Sequence, residues 1–462
     1  MEFNSLKDED KRYIKSIVSP ERFSTGTSNL DLHARDMSSH PASRPEAVVW
    51  PVDREEVSRI LTYADRRRIP VTAWGAGSSL EGNPIPVRGG IVLDFSQMDR
   101  ILEIRTDDFQ ADVEPGVIYK ELNHKLRHTG LFFPPDPGAD ATIGGMIANN
   151  ASGIRTVRYG STKDHVLRLV AVLANGEIIE IGNRASKTSS GFDLLHLFVG
   201  SEGMLGVVVE ATIRLVGLPA EFASAVATFE TMEDASKAVF DIIRSGLDPA
   251  ALELMAPECI ELINRRKDLG LHISPTLFME FHGPTRNQLT DVVDIAEGLC
   301  REHGCGEFRP GLDRAERDRL LEARYAMGEM IRQEHPDYPS IVIDVAVPIS
   351  AYPEMIAFAR EAARKAGTGP AYTFGHAGDG NIHLVINTGG KGRESWQRIE
   401  EANHSVVDKA LALKGTATGE HGVGIGKTKF MEAEHGRSLE WMKKVKQLLD
   451  PNGILNPDKM FP

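Results

Sequence analysis

Apolar positions along the chain recur in two rhythms. Ala47 to Val52 is a short apolar run that predicts a strand. Asp53 then stands as an N-cap with Glu56 three residues on, opening a helix whose Val57, Ile60, Leu61 and Ala64 share one face. A second strand is predicted at Pro70 to Trp74. From Ile91 the pattern shortens to strands such as Ile91 to Phe95 and Gln110 to Val113, with a helix near Ile118 to Arg127. Leu167 to Ile181 predicts a hairpin split by Asn175-Gly176, the pair favoured in a type I′ turn because both residues tolerate positive φ. Met204 to Leu215 is the last strand before a boundary at Gly217 to Pro219.

Beyond that boundary strands alternate with helices: Ala225 to Phe229 before Ala235 to Arg244, Thr276 to Phe281 before Gln288 to Glu302, and Ile341 to Val347 before Tyr352 to Ala366. Alternation of this length predicts a second domain of α+β or α/β type, a sheet with helices on one side, in a chain that is α+β as a whole. The end, Leu439 to Pro462, reads as one helix and a proline-punctuated tail. No fixed-period repeat or low-complexity tract is present, so solenoids and propellers drop out.

With 462 residues there is room for two or three cores at about 150 residues each. The 41% apolar and 26% charged residues are ordinary for a folded chain, and a formal charge of −13 disfavours nucleic acid as a partner. Cys259, Cys300 and Cys305 form no CxxC pair and no disulfide framework, which fits a reducing compartment. Met1 to Tyr13 is dense in Glu, Asp and Lys where a secretory signal needs an apolar segment, and no uninterrupted apolar run approaches 18 residues. A cytoplasmic protein is expected, or one peripheral at the inner face of a membrane.

Candidate chemistry starts at Trp74-Gly75-Ala76-Gly77-Ser78-Ser79, directly after a predicted strand. Glycines let backbone N–H groups approach a pyrophosphate, and serines add hydroxyls. A surface turn is the plainer reading of a lone GxG. This one lacks the third glycine of a dinucleotide fingerprint and the Gly-Lys-Ser/Thr of a P-loop, which disfavours NAD binding and nucleotide hydrolysis. A second small-residue cluster runs through Pro134 to Gly138, Ala141 to Met146 and Asn149 to Gly153. In a core each such glycine costs about 1 kcal/mol relative to alanine, so a large bound cofactor is the economical explanation.

These motifs together resemble the FAD-dependent 2-hydroxyacid dehydrogenases of the vanillyl-alcohol oxidase flavoprotein superfamily, in the branch of D-lactate dehydrogenase, the glycolate oxidase catalytic subunit and D-2-hydroxyglutarate dehydrogenase. The similar stretches are WGAGSSLEG (Trp74 to Gly82), PPDPG (Pro134 to Gly138), ATIGGMIANNASG (Ala141 to Gly153), RYGSTKDHV (Arg158 to Val166) and VGSEGMLGVV (Val199 to Val208). FMEFHG (Phe278 to Gly283), DVAVPIS (Asp344 to Ser350), GHAGDGNIH (Gly375 to His383), GEHGVGIGK (Gly419 to Lys427) and the terminal LNPDKMF continue the likeness. The resemblance implies a two-part FAD-binding domain at 46–218, following an extension at 1–45. A cap domain at 219–425 with an antiparallel sheet and a segment at 426–462 returning to the FAD domain complete it.

By motif, Gly75, Ala76, Gly77, Ser78 and Ser79 would hold the FAD pyrophosphate, with Trp74, Pro135 and Asp136 also cofactor-binding. Thr142, Gly144, Gly145, Asn149, Ala151, Ser152 and Gly153 would lie along the flavin and its ribityl chain. Glu202, Gly203 and Val207 would close the adenine side, and Asn456 would return from the tail, although Asn456-Pro457 is also a simple turn. The loop from Gly75 to Ser79 has no His or Cys, so FAD is expected to be non-covalent.

His376 and His383 flank the turn Asp379-Gly380, with Glu420 and His421 further on. Two imidazoles and a carboxylate suit Zn²⁺ or Mn²⁺. A spacing of seven puts the histidines on opposite faces of a continuous strand, so convergence requires Gly378 to Gly380 to reverse the chain; on spacing alone, unrelated residues are the simpler reading. The resemblance implies instead that His376, His383 and Glu420 are metal ligands and His421 the general base. It also implies that Arg324 pairs with the substrate carboxylate, while Arg314, Arg317 and Arg319 read as solvated helix charges. Val342 stands where 2-hydroxyglutarate-specific relatives have lysine, which points to a substrate with a short or apolar side chain.

The expectation is therefore FAD- and metal-dependent oxidation of a D-2-hydroxy acid, D-lactate first, with electrons passing to a quinone, a cytochrome or an electron-transferring flavoprotein. Assembly as a homodimer is compatible with it. A metal-independent sugar or alcohol oxidase and a non-catalytic subunit of a flavoprotein complex are the rival readings, the second disfavoured by retention of His376, His383, Glu420 and His421.

Overall fold

The computed structural model describes residues 2–311, 314–390 and 392–462, the side chain of Arg314 excepted. The chain divides into two compact units: Met1–Ser152, Gly160–Leu218 and Glu420–Pro462 form the first, and Gly153–Tyr159 with Pro219–Gly419 the second.

In the first unit, strands Ala47–Val49, Ile91–Asp94 and Val71–Trp74 pair in parallel, with Phe23–Ser24 antiparallel at the edge. The helix Arg54–Arg67 starts where the capping pattern predicts, the Asp53 carboxylate accepting the N–H of Glu56. Its Val57, Ile60, Leu61 and Ala64 share one core with Val49, Val71 and Leu93 of this sheet and with Val170, Val172, Val207 and Val209 of a second sheet. That second sheet is wholly antiparallel, in the order Ile101–Arg105, Gln110–Val113, Val207–Arg214, Val166–Val172, Ile178–Gly182. Successive strand residues face opposite sides, so Leu169 and Ala171 point to its other face, and a bulge between Val208 and Glu210 turns Ala211 and Ile213 the same way; with Ala111 they meet the helices Tyr119–Leu126 and Ile143–Asn149. Leu6, Ile14 and Ile17 from the N-terminal segment, and Ile454 and Leu455 from the tail, also belong to the first core.

The hairpin forms, but its turn is not type I′. Gly176 has φ 86°, whereas Asn175 is not among the residues with positive φ. The N–H of Gly176 bonds to Leu173 O and that of Leu173 to Glu177 O, both at 2.9 Å, which closes a three-residue loop with glycine in the left-handed bulge position. A Cβ on Gly176 would come within 1.9 Å of Thr62 Oγ1, so helix packing as well as φ demands glycine there.

The second unit is built on one antiparallel sheet of seven strands, in the order Phe308–Pro310, Glu221–Thr228, Thr276–Gly283, Ala251–Met255, Ala371–His376, Asn381–Asn387, Ser340–Ala346. The amphipathic helices Met232–Arg244, Arg286–Glu302, Tyr352–Ala366 and Arg393–Ala412 are the ones the alternation predicts for one side. The opposite face is covered too: Val226, Ala251, Met255, Phe278, Tyr372, Phe374 and Val385 pack against the helices Pro257–Lys267, Arg314–Tyr325 and Met327–Glu334. Among the described residues, no helix is long and apolar enough to cross a membrane.

Candidate functional site

In the first unit the strand Val71–Trp74 runs straight into the glycine loop, and Trp74 is buried while Ala76 is exposed and Gly75, Gly77, Ser78 and Ser79 are half-buried. Two glycines are explained by close approach. A Cβ on Gly75 would fall 2.3 Å from Thr142 Oγ1, and Gly77, at φ 65°, lies under the Trp74 ring. Among the described residues, no protein acceptor is found for the N–H groups of Ala76, Gly77, Ser78 and Ser79, which leaves a run of donors suited to an anion.

Thr142 caps the helix Ile143–Asn149 by accepting the N–H of Gly145, and Gly144 lets this turn lie against Pro115. At its far end Asn149 donates to Ser79 Oγ at 3.1 Å and to the carbonyl of His421 at 3.4 Å, and Ser79 in turn donates to Asn83 Oδ1. Ala151 follows, and Ser152 donates to Glu420 Oε2 at 3.1 Å. Pro135 and Asp136 are buried. Gly153 opens the second unit, where its N–H bonds to Thr156.

The remaining residues of this set tie the tail down. Glu202 is held at φ 52°, and its carboxylate accepts the N–H groups of Val423 and Gly424 at 2.6 and 2.9 Å. Burial pushes that carboxyl up, against these bonds. Gly203 follows with φ 69°, and Val207 is core. Asn456 makes far more than a turn, donating through Nδ2 to the carbonyls of Asn83 and Glu202. Lys459, which the sequence offers only as part of the LNPDKMF stretch, is fully buried and donates to Asn83 O, Ile85 O and Asn456 Oδ1; burial brings its ammonium down to about 8, with Glu202 opposing. A cradle of close-approach glycines, idle N–H donors and hydroxyls fits a large anionic cofactor, and these residues would hold it.

In the second unit, Gly380 at φ 71° reverses the chain after His376, and Phe374 pairs with His383 across the two strands. The condition set by the spacing is met: the imidazoles of His376 and His383 lie with ring centroids 5.3 Å apart at 87°. Three partners orient this wall. Glu253 Oε1 accepts from His376 Nδ1 at 2.8 Å, Asp344 Oδ1 sits 3.6 Å from His383 Nδ1, and Asn381 Nδ2 donates to Asp344 at 2.7 Å. Thr418 also donates to Asp344, and a Cβ on Gly419 would strike Asn381 Nδ2 at 2.2 Å, so the Thr418-Gly419 end of this unit is pinned at Asp344. Two imidazoles this close, the first of them oriented by a buried carboxylate, fit a divalent metal of the zinc or manganese type.

Arg324 is no surface charge. It is buried, its Nε lies 2.7 Å from Glu253 Oε2, and its guanidinium stacks 4.8 Å from the Phe374 ring centroid. Among the described residues, its Nε and Nη2 are both buried without a hydrogen-bond partner, so the contact with Glu253 is an ion pair and not a hydrogen bond. Arg317 also departs from the sequence expectation: it lies two helical turns earlier and pairs with Glu280, which is 1% exposed. The side chain of Arg314 lies outside the described residues, and Arg319 is exposed as expected. His282 Nε2 bonds to the same Glu280, and Tyr159 OH to His282 Nδ1 at 2.7 Å. Burial by itself raises Glu280, but the bonds from His282 and Arg317 outweigh it and hold the carboxyl at about 2. Glu253 was not foreseen, and the one signal for it was a carboxylate inside the apolar run Ala251–Met255.

The fold and the cradle define a flavin-dependent oxidoreductase, and comparison with known proteins agrees. Residues 45–182 match the FAD binding domain and residues 218–460 match the C-terminal domain of FAD linked oxidases, so the chain belongs to the FAD-linked oxidase family. Within it the chain falls in the branch of the D-lactate dehydrogenases and a glycolate oxidase subunit. It is 37% identical to a probable mitochondrial D-lactate dehydrogenase of Danio rerio, over 97% of this chain and 90% of that one. It is 36% identical to the glycolate oxidase subunit GlcD of Bacillus subtilis, over 98% and 96%. It is also 37% identical to a D-lactate dehydrogenase of Archaeoglobus fulgidus, over 89% and 90%. Among solved structures, 4-ethylphenol oxidase from Gulosibacter chungangensis (TM-score 0.80, 17% identity, 100% and 99% covered) and p-cresol methylhydroxylase (0.77, 16%, 98% and 96%) share the fold.

Proposed function

We propose that the protein is a dehydrogenase of D-2-hydroxy acids, D-lactate first, that works with non-covalent FAD and a divalent metal and hands electrons to an acceptor other than NAD. The observation that carries this reading is Arg324. A buried guanidinium with a partnerless Nη2, on the sheet face that presents His376 and His383, is arranged to receive a carboxylate.

Arg324 would bind the substrate carboxylate and so fix which face of the α-carbon is presented. His376, His383 and Glu420 would hold the metal, and His421 would accept the hydroxyl proton, neutral histidine being a fitting base near pH 7. When bound, FAD supplies the two-electron acceptor for the α-hydrogen and the metal a positive charge that eases loss of the hydroxyl proton. Val342, Val385 and Phe374 line the same face with apolar groups, which favours a substrate with a short or apolar side chain over one with a second carboxylate. The relatives named for D-lactate support the substrate class.

The test is the anaerobic visible spectrum of the purified protein with a panel of D- and L-2-hydroxy acids, before and after chelation. Bleaching by a D-acid, lost with chelator and regained with Zn²⁺ or Mn²⁺, is expected. A yellow protein that no hydroxy acid bleaches would overturn the substrate class, and full activity without metal would overturn the metal.

A further inference from the structure

The two groups just assigned to substrate and metal share one buried carboxylate. Glu253 is 0% exposed; its Oε1 is hydrogen-bonded by His376 Nδ1 at 2.8 Å, and its Oε2 lies 2.7 Å from Arg324 Nε in an ion pair without hydrogen-bond geometry. Its strand neighbours on that face, Ala251 and Met255, are apolar and buried, and the partner strand sets His376 directly opposite it. A histidine that donates from Nδ1 carries its lone pair on Nε2, the nitrogen a metal needs. An arginine paired by charge on its Nε side keeps the Nη edge for a second carboxylate.

We propose that Glu253 is a positioning residue that aims Arg324 and His376 together, so that metal affinity and substrate affinity depend on the same carboxylate. This inference rests on the metal and substrate reading above. It differs from a merely structural ion pair in a way the molecule itself illustrates. Glu280 also joins an arginine of the same helix to a histidine, but its histidine is satisfied by Tyr159, so nothing is left for a ligand.

The experiment uses full-length protein with FAD bound, comparing wild type with Glu253→Gln, Glu253→Asp and Glu280→Gln. Zn²⁺ and Mn²⁺ affinities are measured by chelator competition without substrate, alongside KM for D-lactate and FAD content. In Glu253→Gln, metal affinity is expected to fall about 10- to 100-fold, the range for loss of a carboxylate behind a ligating histidine. KM should rise about tenfold or more, FAD content should hold, and Glu253→Asp should recover part of both losses. Glu280→Gln is expected to unfold more easily yet bind metal within about twofold of wild type.

Unchanged metal affinity and KM in Glu253→Gln, in a wild type that does bind metal, would overturn this inference alone, as would an equal loss in Glu280→Gln. A wild type with no metal affinity overturns the inference and the metal assignment together. Should Glu253→Gln fail to fold, Glu253→Asp decides: full metal affinity and KM with the shortened side chain would reject the role.

Discussion

Two Arg–Glu–His sets lie on one face of the seven-stranded sheet, and they differ in what is left over. In Arg317–Glu280–His282 the polar atoms are met by protein, with Asp318 and Tyr159 completing the set. Arg317 reaches both oxygens of Glu280, His282 gives Nε2–H to the same carboxylate, and Nδ1 is taken by Tyr159. In Arg324–Glu253–His376 the arginine meets its glutamate by charge at Nε and keeps Nε and Nη2 buried without a hydrogen-bond partner, and a second imidazole, His383, lies with its ring centroid 5.3 Å from that of His376. Residue types and helix position are alike; the surplus donor separates a brace from a site. An unmatched buried donor costs stability, about 1 to 3 kcal/mol, and is retained where a ligand completes it.

The largest effect that sharpens this contrast is Glu280→Ala. Removing one partner from a buried pair strands Arg317 and the His282 donor, and the expected loss is about 3 to 5 kcal/mol in chemical denaturation. Turnover per folded molecule should be nearly unchanged; a large loss of turnover instead would make the closed set part of the site.

Acid titration probes the same brace. The Glu280 carboxyl is held at about 2 against an ordinary 4.5. Because the folded value is the lower, the stabilisation is complete above about pH 4.5 and is lost as pH falls towards 2, on the order of 3 kcal/mol in all. Denaturation curves across that window should be flatter in Glu280→Gln, and an equal slope in both proteins would contradict the assignment.

Tyr159→Phe is the mildest probe. It removes one hydrogen bond to a buried imidazole, for about 1 kcal/mol. If turnover falls by orders of magnitude while stability barely moves, Tyr159 belongs to the chemistry and the set is not closed.

Legibility in the sequence followed the range of the interactions. The Asp53 cap, the glycine loop after Trp74 and the reversal at Gly380 are local and were readable from adjacent residues. Glu253 looked like an oddity in an apolar strand because its partners lie 71 and 123 positions away. For the same reason Arg317 looked solvated: its helix reads as charged, and only the fold supplies Glu280. The hairpin shows the limit even for local signals. Asn175-Gly176 fits a two-residue turn, but the Gly176 contact with Thr62 and the Leu173–Glu177 pair select the three-residue loop. Asn456 and Lys459 gain meaning only where the tail meets Asn83, some 370 residues earlier.

The most direct test of the central claim is anaerobic flavin reduction by D-lactate in wild type, Arg324→Lys and Arg317→Lys, each loaded with FAD and metal. Lysine keeps the charge but cannot offer the two-pronged edge, so Arg324→Lys should slow reduction about 100-fold or more, while Arg317→Lys should match wild type once folded. Equal rates in Arg324→Lys and wild type, or no reduction by D-lactate in any of the three, would contradict the account.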